Sequence, residues 1–478
     1  MRFCSVTLGC KVNQYETRAI AGILVSRGHE QAQPGEGCDV CIVNTCAVTG
    51  ESARKSRQAV RHLKKTEPEA LIAVCGCLSQ IDYRAACELD ADIIGGSGDR
   101  QAFALEVEEL AEHAGRSGIP PLDEAREATP YSGIPLSSGI PAPEHHSGVL
   151  ISGATRRPAV SSHIPSLAIE PGPRVFEELP PGADAGQTRA QLKIQDGCDN
   201  FCAYCVIPYA RGNARSLPVE RAAANARMLD GQGYREIVVT GIEISSYGKD
   251  LPGSPVLSDV IREISVSAPH ARLRLSSLDP GAITEGFCNE LSSIPDLCDH
   301  FHLSLQSGCD ETLHRMGRRY GAGAVIEAIA ALRRRFPDCG VTADLIVGFP
   351  GETDAEFQQT LEFIESAAFS KMHVFPFSRR PGTRAADMPL QVAPNIKRER
   401  ARAASAMARE MALSFRVRQI GKTTGVLFER KRGGMWTGHS SNYLEVMVKD
   451  GGKKNALRTV RITSVEDGRV RGEIIQGL

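Results

Sequence analysis

Three cysteines in the run Asp196-Gly197-Cys198-Asp199-Asn200-Phe201-Cys202-Ala203-Tyr204-Cys205 hold the most pronounced chemical signal of this chain. Their C-x3-C-x2-C spacing follows an apolar segment, Leu192-Lys193-Ile194, that reads as a short β-strand. Three thiolates on one tight loop can hold three irons of a [4Fe–4S] cluster, with Cys as the natural soft ligand. The fourth iron then has no protein ligand. An open iron can chelate the amino and carboxylate groups of S-adenosylmethionine (SAM) and pass an electron into its sulfonium. Zinc would want a fourth ligand close by, and this is not a usual zinc-knuckle spacing. A disulfide framework fits poorly in 478 residues with 15 cysteines, an odd number.

Such a loop needs a scaffold that presents it at the end of a strand. Six short runs recur at βα spacing: Gln191–Ile194, Glu236–Thr240, Arg272–Ser276, His302–Leu305, Thr342–Val347 and Lys371–Phe375. Helical segments fill most gaps, and Thr353 with Glu356 makes a capping box after the fifth run. Six βα units predict a partial barrel, whose reactive groups sit on loops at the carboxyl ends of the strands. The cysteine loop follows the first strand, where that rule places it. By position, Gly241 after the second strand, Ser276 and Ser277 after the third, and Gln306 and Ser307 after the fourth are candidate SAM contacts.

Closer to the amino terminus, Val6–Leu8, Val40–Val43 and Leu71–Val74 read as buried strands, and Thr17–Arg27 and Glu51–Lys65 as helices. The alternation predicts a parallel α/β sheet. Cys10, Cys46 and Cys77 each follow one of these strands, and parallel neighbours set their carboxyl ends side by side. Three converging thiolates there would support a second cluster, although buried cysteines are also common core residues. Cys38 and Cys41 form a C-x2-C pair, but Cys41 lies within a strand and is expected in the core. Cys4, Cys75 and Cys87 lack the strand-end position.

No cysteine lies between Cys87 and Cys198. Residues 115–173 are rich in Gly, Pro, Ser and His, and Ser-Gly-Ile-Pro starts at Ser117, Ser132 and Ser138. That composition cannot bury enough apolar surface to offset its ordering entropy, so a disordered insertion is expected. The last sixty or so residues hold short β-rich runs, Val426–Glu429, Tyr443–Val448, Arg458–Ile462 and Val470–Ile474, which predict a small β-barrel. Arg430-Lys431-Arg432 and Lys453-Lys454 are expected in its turns, behind a basic helix over Lys397–Arg418, an electrostatic footprint suited to a polyanion. The chain therefore divides into 1–114, an insertion over 115–186, a barrel over 187–417 and a β-barrel over 418–478.

Lys and Arg number 56 against 57 Asp and Glu, so any RNA site must come from local charge. The longest uncharged apolar stretch, Ala70–Leu78, is far short of the roughly 20 residues a membrane span needs. Residues 1–28 do not resemble a signal peptide. Many cysteines without a secretory signal suggest a reducing compartment, and a cytoplasmic protein is expected.

Leu8-Gly9-Cys10-Lys11-Val12-Asn13-Gln14-Tyr15-Glu16, Asn44–Thr49 and Cys75–Gln80 resemble the three N-terminal signatures of the methylthiotransferase family. The Cys198–Cys205 segment has the radical SAM spacing. Val206–Gly212, Leu303–Gly308 and Ile346–Thr353 resemble further family blocks, and the C-terminal barrel resembles the family's RNA-binding TRAM domain. The likeness covers nearly the whole chain except about 115–173. It implies two [4Fe–4S] clusters, one on Cys198, Cys202 and Cys205 for cleaving SAM, and one on Cys10, Cys46 and Cys77 for holding sulfur. It also implies a monomer served by an electron donor such as a flavodoxin or ferredoxin. The implied reaction adds sulfur and a methyl group at C2 of adenine 37 of tRNA, a carbon inert to ordinary acid–base chemistry. Family branches act on isopentenyladenosine in tRNA, on threonylcarbamoyladenosine in tRNA, or on an aspartate of a ribosomal protein. Lys11–Glu16 and His373–Thr383 resemble the threonylcarbamoyladenosine branch, with Arg379 or Arg380 as polar partners for the threonylcarbamoyl arm. Two residues depart from the pattern. Glu243 stands where a neutral or imidazole side chain is expected, and Cys309 where serine is more usual.

Overall fold

The computed structural model describes residues 1–115, 175–181 and 188–475; the disorder expected of the Ser-Gly-Ile-Pro block lies outside the described residues. β1 (Arg2–Thr7), β2 (Glu30–Gln31), β3 (Val40–Thr45), β4 (Leu71–Gly76) and β5 (Ile93–Ile94) form a parallel sheet in the order 2-1-3-4-5. β3 is buried at every position because helices cover both faces. Ile20, Leu24, Phe103 and Val107 pack one face, and Val60 and Leu63 the other. Cys38 and Cys41 belong to that second core, where Cys4 Sγ lies 3.3 Å from Cys41 Sγ. The strand order reverses between β1 and β3, which opens a crevice at their carboxyl ends.

The first helix runs over Lys11–Ser26 and so begins earlier than the expected Thr17. Its opening turns bury Asn13, Glu16 and Thr17 beside Val12 and Tyr15, and these inward polar residues mask the apolar period. Tyr15 donates from its hydroxyl to the Leu179 carbonyl at 2.6 Å, so part of the expected linker packs on this helix.

β6 (Arg189–Lys193) leads into an antiparallel clasp of β7 (Gln195–Asp196) and β8 (Arg215–Ser216). Then β9 (Glu236–Thr240), β10 (Arg272–Leu275), β11 (Ser277–Leu278), β12 (His300–Gln306), β13 (Gly340–Val347) and β14 (Lys371–Pro376) continue in chain order. All pairings among the barrel strands are parallel, and the sheet steps at Ser276, where β10 stays with β9 while β11 pairs β12. The order does not return from β14 to β6, which is the expected partial barrel. Alternate residues such as Ile237, Leu273, Leu303 and Val341 face the outer helices, so Gln191, Glu236, Arg274, His302 and Asp344 line the bore.

β15 (Thr423–Arg432), β16 (Met435–Ser440), β17 (Glu445–Val448), β18 (Leu457–Glu466) and β19 (Arg469–Ile474) pair in the order 15-16-17-19-18, and β18 also pairs β15. The β17–β19 contact is parallel and brief. Arg430-Lys431-Arg432 finish β15 instead of lying in a turn, because Gly433-Gly434 makes the reversal. The preceding helix is Pro394–Val417, and its Arg400 is buried against Glu352 and Asp354 at 2.7 Å each, so it leaves the basic face. This module closes the amino ends of the barrel strands. Arg272 donates to the Gly425 and His439 carbonyls, Arg274 to those of Ser440 and Ser441, and the Tyr443 ring stacks on His300 at 4.6 Å. Among the described residues no helix is long and apolar enough to cross a membrane.

Candidate active site

Cys10 caps the first helix, Cys46 follows β3 and Cys77 opens the helix Cys77–Ile81 after β4. Gly9 makes the close approach possible. Its φ is +101°, and a Cβ there would lie 2.7 Å from Cys46 Cβ and 2.8 Å from Cys46 Sγ. Cys46 and Cys77 are buried and Cys10 is exposed, so the site opens at Cys10. Burial pushes the Cys46 and Cys77 thiols up, Cys77 raises Cys46 further, and Cys10 raises Cys77 against the pull of Arg211. These sulfurs are electrostatic neighbours.

The second triad sits on a loop clasped at its base by β7 and β8. Gly197, at φ +68°, lets the chain press against the Asn213 backbone, and the Cys198 N–H donates to the Gly212 carbonyl at 3.1 Å. Burial pushes the Cys198 and Cys205 thiols up to about 12. Arg318 Nη1 donates to Cys202 Sγ at 3.2 Å, and the Ile207 N–H to Cys205 Sγ at 3.4 Å. Cys77, Leu78, Val206 and Ile207 share one apolar cluster, with Cys198 and Cys205 packed against it, so the two triads meet at a common wall.

Beside that wall the four cations Arg100, Lys193, Arg211 and Arg215 are buried against Glu16 and Asp196, with Glu177 within electrostatic reach of Arg100 and Lys193. An excess of buried cation is costly unless anions complete it, and thiolate-ligated clusters are anionic. At the carboxyl ends of β9 and β10, Thr240 Oγ1 and Ser276 Oγ are buried on the bore side without a hydrogen-bond partner. Unpartnered buried hydroxyls of this kind fit a ligand in the barrel mouth. The residues present thus fit cluster and SAM.

The other positional candidates fall in different settings. Gly241 abuts Gln195, whose Oε1 accepts the Glu243 N–H at 2.8 Å. Ser277 is half-buried on β11. Gln306 takes φ +69° where the β12–β13 register shifts. The Ser307 hydroxyl is occupied, lying 3.3 Å from Thr360 Oγ1 and accepting the Cys309 N–H at 3.2 Å. Arg380 donates to the Ala47 carbonyl, next to Cys46, while Arg379 is exposed 3.8 Å from Asp387. Burial, then Asp279, pushes the Glu243 carboxyl up to about 7, so this departure is neutral below that pH. Burial and Arg274 push the Lys11 ammonium down to about 8. Arg318, held by Asp279 at 2.8 Å, lies outside every sequence motif.

Residues 192–364 match the model of the Radical SAM superfamily, and residues 2–95 that of Uncharacterized protein family UPF0004. The chain is similar to threonylcarbamoyladenosine tRNA methylthiotransferase MtaB of Bacillus subtilis (strain 168), 33% identical over 93% of this chain and 89% of that protein. Its likeness to the protein of the same name from Chlamydia pneumoniae is 34% over 99% and 98%. Ribosomal protein uS12 methylthiotransferase RimO of Geobacter sulfurreducens is 34% identical over 83% of this chain and 79% of that one. The solved radical S-adenosylmethionine methyltransferase TsrM from Kitasatospora setae shares the fold, with TM-score 0.52 at 13% identity over 91% of this chain and 80% of that chain. Fold and cysteine loop together define a radical SAM enzyme with SAM and an iron–sulfur cluster as cofactors. The chain belongs to the radical SAM methylthiotransferase family, enzymes that transfer a sulfur-containing group.

Proposed function

We propose that this enzyme methylthiolates C2 of N6-threonylcarbamoyladenosine at position 37 of tRNA. Two [4Fe–4S] clusters take part, on Cys198, Cys202 and Cys205 and on Cys10, Cys46 and Cys77. The observation that carries this reading is the common apolar wall on which Cys77 meets Cys198 and Cys205. When bound, clusters and SAM supply the radical and sulfur chemistry that an inert aromatic carbon requires. The chain's own residues do the rest. Arg318 and the Ile207 N–H hold the sulfurs of Cys202 and Cys205 by hydrogen bonds, and Arg211 ties the two cysteine loops together through Asn13.

Residues 1–114 would hold the sulfur-carrying cluster, 187–417 the SAM-cleaving one, and 418–478 would bind RNA. A flavodoxin or ferredoxin would supply the electron to a cytoplasmic monomer. Support for the tRNA substrate comes from the relatives named for it and from the exposed Arg430, Lys431, Arg432, Lys453 and Lys454. A second reading, a ribosomal-protein aspartate, draws on the relative named for uS12. Reconstituted enzyme offered threonylcarbamoyladenosine tRNA, isopentenyladenosine tRNA and uS12 side by side, with products read by mass spectrometry, tests them. Methylthiolation of the first alone is expected, and preference for another moves the chain to a different branch.

A further inference from the structure

We propose that Lys11 determines specificity by binding the carboxylate that ends the threonylcarbamoyl arm, an inference that rests on the substrate reading above. Lys11 opens the first helix directly after Cys10, and Gln191 Nε2 donates to Gln14 Oε1 at 2.8 Å, fixing that helix to β6. Its ammonium lies within electrostatic reach of Arg189 on β6, Glu236 on β9, Arg274 on β10, His300 on β12 and Asp344 on β13. Lys11 and Gln14 stand at i, i+3 on one helix face, and Gln14 meets Gln191 of the bore, so Lys11 faces the bore.

The neighbouring charges are already engaged. Glu236 takes Arg272 Nε at 2.7 Å and Arg274 Nε at 2.8 Å, and Arg189 lies between Glu236 and Glu429. Asp344 bridges His302 Nε2 at 3.3 Å and His373 Nδ1 at 3.1 Å. The Lys11 ammonium has no ion pair or hydrogen bond among the described residues. A confined ammonium without a counter-ion favours an anionic ligand. Gln191 Oε1, buried and unpartnered on the same wall, offers an acceptor for the arm's N–H or hydroxyl groups. An isopentenyl arm has nothing for this charge to hold. Because Lys11 follows Cys10, an arm gripped here keeps its base beside the N-terminal triad.

The test titrates full-length holoenzyme with anticodon stem-loops bearing threonylcarbamoyladenosine, its neutral threonine-amide analogue, or unmodified adenosine. Wild type is expected to prefer the acid over the amide on the order of 10- to 100-fold, the size of a charge-assisted hydrogen bond. Lys11→Met should lose most of that preference and Lys11→Arg recover part of it, with iron content and Tm confirming folded, loaded protein. If Lys11→Met keeps the full preference, the assignment is overturned while the substrate reading stands. If wild type methylthiolates threonylcarbamoyladenosine yet binds acid and amide alike, it is overturned too. A carboxylate-dependent preference for a uS12 peptide over every stem-loop would instead overturn the substrate reading and the RNA assignment with it.

Discussion

Arg211 and Glu16, 195 residues apart in sequence, form a two-pronged buried ion pair, Nη1 to Oε1 at 2.7 Å and Nη2 to Oε2 at 3.1 Å. Arg211 Nη2 also donates to Asn13 Oδ1 at 2.7 Å, and Asn13 Nδ2 donates to the Leu8 and Thr45 carbonyls at 2.9 Å each. Leu8 and Thr45 immediately precede the Cys10 and Cys46 turns. The helix that ends the Cys198–Cys205 loop is thereby tied to both of those turns, which sets the separation of the two triads.

Glu16→Gln should therefore cost more than an ordinary surface change. It leaves Arg100, Arg211 and Lys193 buried with one carboxylate fewer, a loss of about 3–5 kcal/mol in urea unfolding. Arg211→Met should cost a similar amount, and the double variant clearly less than both together. Burial works against the Glu16 charge, but Arg211, Arg100 and Lys193 outweigh it and hold the carboxyl at about 2, below its ordinary 4.5. A depressed folded value means the stabilisation is present above about 4.5 and lost as pH falls toward 2. Glu16→Gln should lack that acid limb, and retention of the limb would remove Glu16 as its source.

Metal content separates the triads. Anaerobically reconstituted protein should carry about eight irons as two cubanes. Replacing Cys198, Cys202 and Cys205 by alanine should leave about four and abolish SAM cleavage. Replacing Cys10, Cys46 and Cys77 should preserve SAM cleavage and abolish the methylthio product. Cys41→Ala should cost packing energy of order 1 kcal/mol and no iron. Full-occupancy zinc without iron would contradict the whole assignment.

Glu243 titrates in the opposite sense to Glu16. Its raised folded value means that it costs no stability below its ordinary 4.5, and that the penalty grows until pH passes about 7. Glu243→Gln should thus stabilise the protein at pH 8, by roughly 1–3 kcal/mol, and leave it unchanged near pH 4. Equal stabilisation at both pH values would point to packing instead.

The strands of both α/β units were legible because apolar residues alternate or run continuously through them, as in Leu273, Leu275, Leu303 and Leu305. β16 was not, since Thr437, Gly438 and His439 interrupt any alternation and its pairing with β15 and β17 decides its conformation. The strand-end cysteines could be read from residue type and position. Their tether could not, because a glutamate and an arginine so far apart read as solvated charges until the fold brings them together. The same limit hid Arg318, and it made Arg400 look like part of a basic surface.

Arg430, Lys431 and Arg432 at the exposed end of β15, with Lys453 and Lys454 in the turn before β18, form an exposed basic cluster apart from Arg398, Arg402, Arg409 and Arg418, which stay exposed around the preceding helix. Phosphate contacts position an RNA without reading its bases, so neutralising these residues should weaken binding of every tRNA to a similar degree. Each lost contact should lower the slope of log affinity against log salt by about 0.7–0.9. Arg400→Gln is the contrasting control. It breaks a buried pair with Glu352 and should lower Tm with the salt slope unchanged. A salt slope that stays constant in the β15 and turn variants would place the RNA on another face of the molecule.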